Sequence, residues 1–167
     1  MSASGADGTA GADGLAVFDV DGVVADVRHR LHHLTGGRSW NRFFDAADRD
    51  GLLEEGARLV ADLGARHEIV WLTGRPEWLR DVTQAWFERH GLPHTELHMR
   101  PHGDFRPAAR YKLDVLRGLS ARRVMAFVDD DDEVIDAAVR AGYPAILADW
   151  VPRAQTLRDA QDRHGRT

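Results

Sequence analysis

Short apolar segments alternate with helical patterns along most of this chain, and that alternation restricts the folds open to it. The strand-like segments are rich in apolar and β-branched residues and occupy 15–20, 68–72, 124–128, 145–148 and, more weakly, 95–99. The helical patterns between them lie at 55–63, 76–90, 107–119 and 133–141. Strands that alternate with helices predict an α/β fold, in which a central parallel sheet carries helices on both faces.

Length and composition fit a single folded domain. The chain has 167 residues, of which 43% are hydrophobic and 29% charged, and both values are ordinary for a globular protein. Cysteine is absent, which excludes disulfides, thiolate metal ligands and a cysteine nucleophile. A formal net charge of −5 does not indicate a protein that coats nucleic acid, although a local basic groove stays compatible with it.

The composition changes at both ends of the chain. Residues 1–14 are mostly Gly, Ala, Ser, Asp and Thr, without the basic start and apolar stretch of a signal peptide, and we expect a disordered tail. No apolar run reaches the roughly 20 residues that span a bilayer, so we expect a cytoplasmic protein without membrane contact. The main domain is predicted over 15–150, followed by a polar tail or helix over 151–167.

Segment 23–54 interrupts the alternation, because it separates the first strand from its crossover helix. We predict a small helical cap insert, since a long insert beside the end of a strand often contacts substrate. Within it, Trp40, Phe43, Phe44 and Ala47 recur at helical spacing, which favours a packed face over a base-stacking platform.

Two carboxylates follow the first predicted strand directly, in the sequence Asp19-Val20-Asp21-Gly22. Ligands of open α/β sheets bind at the carboxyl ends of the strands. There, one carboxylate could attack an electrophile, the other could move a proton, and both could hold a divalent cation. The same pattern also occurs in plain turns, so alone it leaves both interpretations open.

Three further signals follow along the chain: Thr73-Gly74-Arg75, Lys112, and the acidic run 129–133. A hydroxyl followed by glycine suits a phosphate oxygen, because backbone N–H groups can approach the anion. Lys112 is the single lysine among 22 basic residues, which indicates either a position that arginine does not fit or chance retention at the surface. Crowded carboxylates favour a metal site, although acidic runs are also common at solvated helix N-termini. Because most of these signals follow predicted strands, a parallel sheet would gather them at one edge.

Together, the four motifs resemble those of the haloacid dehalogenase (HAD) superfamily. The resemblance spans about residues 15–150 and uses Asp19-Val20-Asp21-Gly22, Thr73, Lys112 and Asp129-Asp130. It implies a Rossmann-like HAD fold with the first strand at the centre of the sheet. It also implies Mg²⁺-dependent phosphoryl transfer through an aspartyl-phosphate.

A narrower resemblance involves two arginines. Arg30 lies nine residues after Asp21, and Gly103-Asp104-Phe105-Arg106 ends six residues before Lys112. This spacing is similar to that of the 3′-phosphatase domain of bacteriophage polynucleotide kinase/phosphatase and its bacterial relatives. The kinase motif G-x-x-x-x-G-K-[ST] does not occur in the sequence. If the function requires a kinase, another chain must supply it, which makes a separate kinase or ligase the expected partner.

The resemblance also implies roles for individual residues. Asp19 would be the nucleophile, and Asp21 would protonate the leaving oxygen and later activate water. Thr73 would bind a phosphoryl oxygen, and Lys112 would neutralise charge on the phosphate and on Asp19. Mg²⁺ would be held by the Asp19 carboxylate, the Asp21 main-chain carbonyl and the pair Asp129 and Asp130. Substrate contacts are predicted for four residues: Arg30, Gly74, Arg75 and Arg106.

Three functions are compatible with these residues. The first is a phosphomonoesterase that acts on a nucleic-acid 3′-phosphate end, and the second applies the same chemistry to a nucleoside monophosphate or another small molecule. The third is a non-catalytic binding module with a HAD fold, which the complete motif set disfavours. The cluster of His29, His32 and His33 is interpreted as structural, because no fourth metal ligand accompanies it at a familiar spacing.

Overall fold

A computed structural model describes residues 12–36 and 39–164. The tail expected over 1–14 lies outside this description up to residue 11, and so do the last three residues of the polar C-terminal segment.

The described strands form one large parallel sheet and one small antiparallel pair. In chain order they are β1 (Leu15–Phe18), β2 (Ala25–Asp26), β3 (Gly51–Leu52), β4 (Glu68–Pro76), β5 (Leu97–Arg100), β6 (Val124–Asp129) and β7 (Ala145–Leu147). The large sheet has the order β5-β4-β1-β6-β7, and each neighbouring pair is parallel. This confirms the predicted sheet and the central position of the first strand.

Helices connect the strands and cover the sheet. They are α1 (Trp40–Asp45), α2 (Glu54–Gly64), α3 (Arg80–Arg89), α4 (Ala108–Leu119), α5 (Asp132–Arg140) and α6 (Gln155–His164). Short 3₁₀ turns precede α1 at 28–34 and α3 at 77–79.

The core lies in two layers, one on each face of the sheet. In β1, Leu15 and Val17 point into the layer formed with α4 and α5, whereas Ala16 and Phe18 point into the layer formed with α2, α3 and α6. All four side chains are essentially inaccessible to water. A strand buried on both faces reads as a continuous apolar run, which is why the sequence pattern predicts it well.

Strand β4 is longer than the sequence pattern predicts. It was expected to end at Leu72, but it continues to Pro76, and its pairing with β5 shifts register between these two residues. Thr73, Gly74 and Arg75 therefore lie beyond Leu72, where the regular pairing of β4 with β5 ends. Arg75 is held there by acidic partners from other elements, described below, which a local pattern does not reveal.

The cap insert packs its aromatic residues inward. Trp40, Phe43 and Phe44 of α1 are all at most 6% exposed and contact one another ring to ring. These rings therefore form a packed face and offer no stacking platform. The short pair β2 and β3 closes the insert, with the Leu53 amide donating to the Val24 carbonyl.

The C-terminal helix α6 is part of the folded body. Leu157 and Ala160 are buried in the same layer as α2 and α3. Among the residues that the structure describes, no helix has the length and apolarity needed to cross a bilayer.

Close packing of α2 on the start of the cap insert yields a stability test. A methyl group added at Gly56 would lie 1.8 Å from the Val23 carbonyl oxygen, whereas one added at Gly118 of α4 meets no atom within 4 Å. We expect Gly56→Ala to lower the free energy of unfolding by about 1–3 kcal/mol because the backbone must shift. Gly118→Ala, the matched control, should raise it by up to about 1 kcal/mol because alanine favours helix. Urea unfolding measures both, and equal effects would show that this packing does not matter.

Candidate active site

The carboxyl ends of three adjacent strands bring the predicted motifs together. Phe18 at the end of β1 is in register with Trp71 of β4 and with Val128 of β6. The next residue, Asp19, therefore lies between Leu72 and Asp129, and Thr73 is one residue further along β4. Its amide donates to the Val128 carbonyl, which fixes the backbone at this position.

Lys112 reaches this edge from α4 and bridges two carboxylates. Its Nζ lies 3.0 Å from Asp19 Oδ2 and 2.6 Å from Asp129 Oδ2. Burial alone would lower the pKa of Lys112, but the carboxylates of Asp129 and Asp19 raise it above its usual value. The ammonium is therefore a permanent positive charge inside the site.

Three carboxylates crowd beside this ammonium. Oxygens of Asp19, Asp129 and Asp130 all lie within 4.8 Å of one another. Burial raises the pKa of Asp19 to about 7, with a further contribution from Asp129 and opposition from Lys112. Burial likewise raises the pKa of Asp130 well above its usual range. Asp19 Oδ1 is buried and has no hydrogen-bond partner among the described residues.

Position 22 of the Asp-x-Asp-Gly motif requires glycine, because the backbone there lies against the Asp130 side chain. Gly22 has a φ of +75°, and an added Cβ would lie 2.1 Å from Asp130 Oδ2. A positive φ is inexpensive only for glycine. The turn after β1 therefore packs directly on Asp130, one of these three carboxylates.

Asp21 is oriented differently from Asp19 and takes part in a second network. Its Oδ1 accepts hydrogen bonds from Arg75 Nε at 2.9 Å, Arg75 Nη2 at 2.6 Å and Arg30 Nη2 at 2.9 Å. Burial would raise the pKa of Asp21, but the guanidinium groups of Arg75 and Arg30 more than offset it and hold the pKa below its usual range. Asp21 is thus kept ionised.

The same two arginines share a second carboxylate that the sequence analysis missed. Asp50, 3% exposed, accepts from Arg30 Nε at 2.8 Å and Nη2 at 2.8 Å, and from Arg75 Nη2 at 2.7 Å. His29 Nε2 lies 2.7 Å from it, and Trp86 Nε1 donates to its carbonyl at 2.8 Å. No motif marks Asp50, because its arginine partners are 20 and 25 residues away in sequence.

The four predicted substrate-binding residues differ in position. Gly74 borders the pocket beside Asp19, together with Thr73. Arg30 and Arg75 are fully buried, bond to Asp21 and Asp50, and are not among the residues that line the pocket, which departs from their predicted contact with substrate.

Arg106 is not brought to this pocket. It is partly exposed and pairs with Asp104 and Asp114, outside the residues that surround Asp19. The reason is local, because Asp104 accepts both the amide and the side chain of Arg106 and turns it toward the start of α4.

The pocket itself is lined by core, cap and C-terminal residues. They are Asp19, Asp21, Phe43, Thr73, Gly74, Lys112, Asp130, Asp131, Arg153, Leu157 and Gln161.

Arg153 is a second residue that the sequence analysis missed. Its Nη1 lies 3.3 Å from Asp130 Oδ1 and 3.0 Å from Asp131 Oδ2, with the side chain 6% exposed. It is one of many arginines in a polar segment, and only the placement of α6 distinguishes it.

Comparison with known proteins then defines the family. The family model for the polynucleotide kinase PNKP phosphatase domain matches residues 14–147, which is most of the chain. The chain belongs to this family. It is a phosphatase of the HAD type, with the strand order and motif positions described above.

Solved structures share the fold. A chain in the structure of the Pnkp1/Rnl/Hen1 RNA repair complex superposes with a TM-score of 0.66 at 22% identity, covering 80% of this chain and 42% of that one. This PNKP-family chain therefore spans less than half the length of that relative. The magnesium-bound HAD hydrolase YfnB from Bacillus subtilis gives a TM-score of 0.56 at 10% identity, covering 80% and 87%.

A HAD-like hydrolase from Streptococcus pneumoniae also gives a TM-score of 0.56, at 12% identity, covering 89% of this chain and 90% of that one. These likenesses concern the fold. No curated protein sequence matches the chain significantly.

The buried network around Asp50 yields a second test. Asp50→Asn leaves Arg30 and Arg75 short of one buried negative charge, and we expect a loss of about 3–5 kcal/mol in the free energy of unfolding. Asp26→Asn is the matched control, because the Asp26–Arg28 pair is largely exposed and should contribute below about 1 kcal/mol. Urea unfolding compares the two variants. Losses of similar size would mean that the Asp50 network is not a main support of the fold.

Proposed function

We propose that this chain is a Mg²⁺-dependent phosphomonoesterase that removes a 3′-phosphate from a nucleic-acid end through an aspartyl-phosphate. The observation that carries the proposal is the state of Asp19. One of its oxygens is held by Lys112, while the other is buried at the pocket and unpaired among the described residues. A carboxylate oxygen that is desolvated and not engaged is well prepared to attack phosphorus.

The reaction has two steps, the formation of the aspartyl-phosphate and its hydrolysis. In the first, an Asp19 oxygen bonds to phosphorus, the bond from phosphorus to the ester oxygen breaks, and that oxygen takes a proton from Asp21. In the second, a water oxygen bonds to the phosphorus of the aspartyl-phosphate and a proton of that water passes to Asp21. The bond between phosphorus and the Asp19 oxygen breaks, so inorganic phosphate leaves and the Asp19 carboxylate is restored.

The arginine pair favours one of the two states of Asp21. Because Arg30 and Arg75 stabilise its carboxylate, Asp21 is well suited to accept the proton from water in the second step. It is less suited to hold a proton in advance of the first step. The approaching anionic phosphate offsets part of this preference, since a nearby negative charge raises the pKa of a carboxyl group.

The phosphoryl group itself would meet Thr73, Gly74 and Lys112. Thr73 and Gly74 border the pocket from the end of β4, and the ammonium of Lys112 neutralises charge next to Asp19. The ammonium is a compact point charge, and its single nitrogen meets both Asp19 and Asp129.

The cluster of three carboxylates has the ligand atoms that a magnesium ion requires. Asp19, Asp129 and Asp130 present carboxylate oxygens within 4.8 Å, and Mg²⁺ prefers oxygen ligands of this kind. These three residues, with the Asp21 main-chain carbonyl, would hold the ion. When bound, it would reduce the repulsion between an anionic nucleophile and an anionic phosphate.

Family membership supports a nucleic-acid substrate. The matching family is the phosphatase domain of a polynucleotide kinase, and the related structure belongs to an RNA repair complex. We infer that this phosphatase acts with a kinase or a ligase, in the cytoplasm, on ends that need a free 3′-hydroxyl. The small cap leaves the entrance open to a large substrate.

A substrate comparison tests the proposal. We expect phosphate release with Mg²⁺ from a 3′-phosphorylated oligonucleotide to exceed release from its 5′-phosphorylated counterpart and from nucleoside monophosphates. Asp19→Asn should abolish release from all of them, because the nucleophile is lost. Preference for monophosphates would instead indicate a nucleotidase. Release that does not depend on Asp19 would contradict the covalent mechanism, and no release would favour a binding module.

Magnesium binding can be measured without turnover. We expect the melting temperature of the protein to rise with Mg²⁺ concentration, because an ion that binds only the folded state stabilises it. Asp130→Asn should lose most of this rise, whereas Asp136→Asn on the exposed face of α5 should keep it. An unchanged magnesium response in Asp130→Asn would show that the ion binds elsewhere.

A further inference from the structure

A second cavity lies beside the phosphate pocket and is not used by the reaction proposed above. Its volume is about 140 Å³, and it shares Gly74 with the phosphate pocket. A water molecule occupies about 30 Å³ of liquid volume, so this cleft has room for a group of several heavy atoms. A ligand whose phosphate lies at Asp19 would extend past Gly74 into it.

Two exposed aromatic side chains line the cleft. Trp78 is 52% exposed and Phe105 is 55% exposed, in a protein whose other tryptophans and phenylalanines are largely buried within the described residues. Trp78 follows β4, and Phe105 lies in the loop after β5. Because β4 and β5 are neighbours in the sheet, these two loops meet at the same end. Single exposed rings are ordinary, but exposed apolar side chains that line one cleft together, as Trp78 and Phe105 do, often mark a binding site.

The buried Phe44 ring contacts Trp78, and a hydrogen-bonded turn fixes the backbone that carries Phe105. The ring of Phe44, which is buried, contacts Trp78 edge to face with centroids 6.2 Å apart. On the other side, the turn that carries Phe105 is closed by Asp104, whose Oδ1 accepts from the Arg106 amide at 3.0 Å. This assigns a structural reason to the Gly-Asp-Phe-Arg sequence, which does not reach the phosphate pocket.

The charges of the cleft are balanced. Arg100 Nη1 lies 3.6 Å from Asp104 Oδ1 and donates to the Arg106 carbonyl at 2.8 Å. Its guanidinium also stacks over the Tyr111 ring at 4.9 Å. A cation already paired in this way attracts a second phosphate only weakly. The cleft therefore suits an uncharged, planar group better than an anionic one.

We infer that this cleft binds a nucleobase, specifically the base of the nucleotide that carries the 3′-phosphate. The inference rests on the proposed function and makes its substrate class more specific. Trp78 and Phe105 supply the aromatic surfaces, and a base can stack on either because every base has a π-face. Asn41, which also lines the cleft, offers amide groups to the edge of the base.

The test compares two oligonucleotides that differ in one base. Both carry a 3′-phosphate, but in one the terminal sugar has no base. We expect the wild-type protein to hydrolyse the complete oligonucleotide with a kcat/KM on the order of tenfold above that of the abasic one, as base–aromatic stacking predicts. Trp78→Ala should remove most of this difference by lowering kcat/KM for the complete substrate alone, and Trp78→Phe should restore it. Val139→Ala, an equally exposed apolar residue on α5, is the control and should leave both rates unchanged.

Each other result has a distinct meaning. Equal hydrolysis of both oligonucleotides by the wild type would overturn the nucleobase inference and leave the proposed 3′-phosphatase standing. Equal losses on both substrates in Trp78→Ala, without rescue by Trp78→Phe, would also overturn it, because the residue would then act on the phosphate site. No release of a 3′-phosphate from either oligonucleotide would refute the proposed function itself, and the inference with it.

Discussion

The burial of carboxylates at one edge of the sheet is the constraint on which the rest of this site depends. Isolated buried charges are costly, so each must be paired with a cation or with hydrogen bonds. The protein meets this requirement in two unequal ways. Around Asp21 and Asp50, two carboxylates face the guanidinium groups of Arg30 and Arg75, and the charges balance. Around Asp19, three carboxylates face fewer cations, and the charges do not balance. The balanced network holds Asp21 in place at the pocket, whereas the unbalanced one keeps an excess of negative charge around Asp19.

The balanced network also links the cap to the core. Arg30 and Asp50 come from the cap insert, while Asp21 and Arg75 come from the ends of two core strands. Any displacement of the cap would therefore separate buried charges, which is expensive. The Trp86 indole strengthens the link, because it donates from α3 to the Asp50 carbonyl. The orientation of Asp21 is consequently coupled to the position of the cap, although no cap residue other than Arg30 touches its carboxylate through a described hydrogen bond.

Much of this arrangement could be predicted from sequence, for physical reasons that differ by residue. The central strand is buried on both faces, so it appears as an uninterrupted apolar run, and motifs at its end are easy to place. Lys112 is distinctive because no other lysine occurs in the chain. Asp50 and Arg153 could not be predicted, since their partners lie far away in sequence and only the packing of the cap and of α6 brings them close. Arg30 and Arg75 are predicted from sequence to contact substrate, but the structure buries both against Asp21 and Asp50 through the same long-range packing.

Arg153 is a second cation beside the acidic cluster of the pocket. Its guanidinium contacts Asp131 at 3.0 Å and Asp130 at the longer distance of 3.3 Å. If Asp130 turns toward a bound ion, Arg153 still keeps Asp131, so the C-terminal segment need not leave its place on the core. The buried Leu157 and Ala160 would hold that segment independently of the charge. The wall that α6 adds to the pocket thus does not depend on the contact between Arg153 and Asp130 alone.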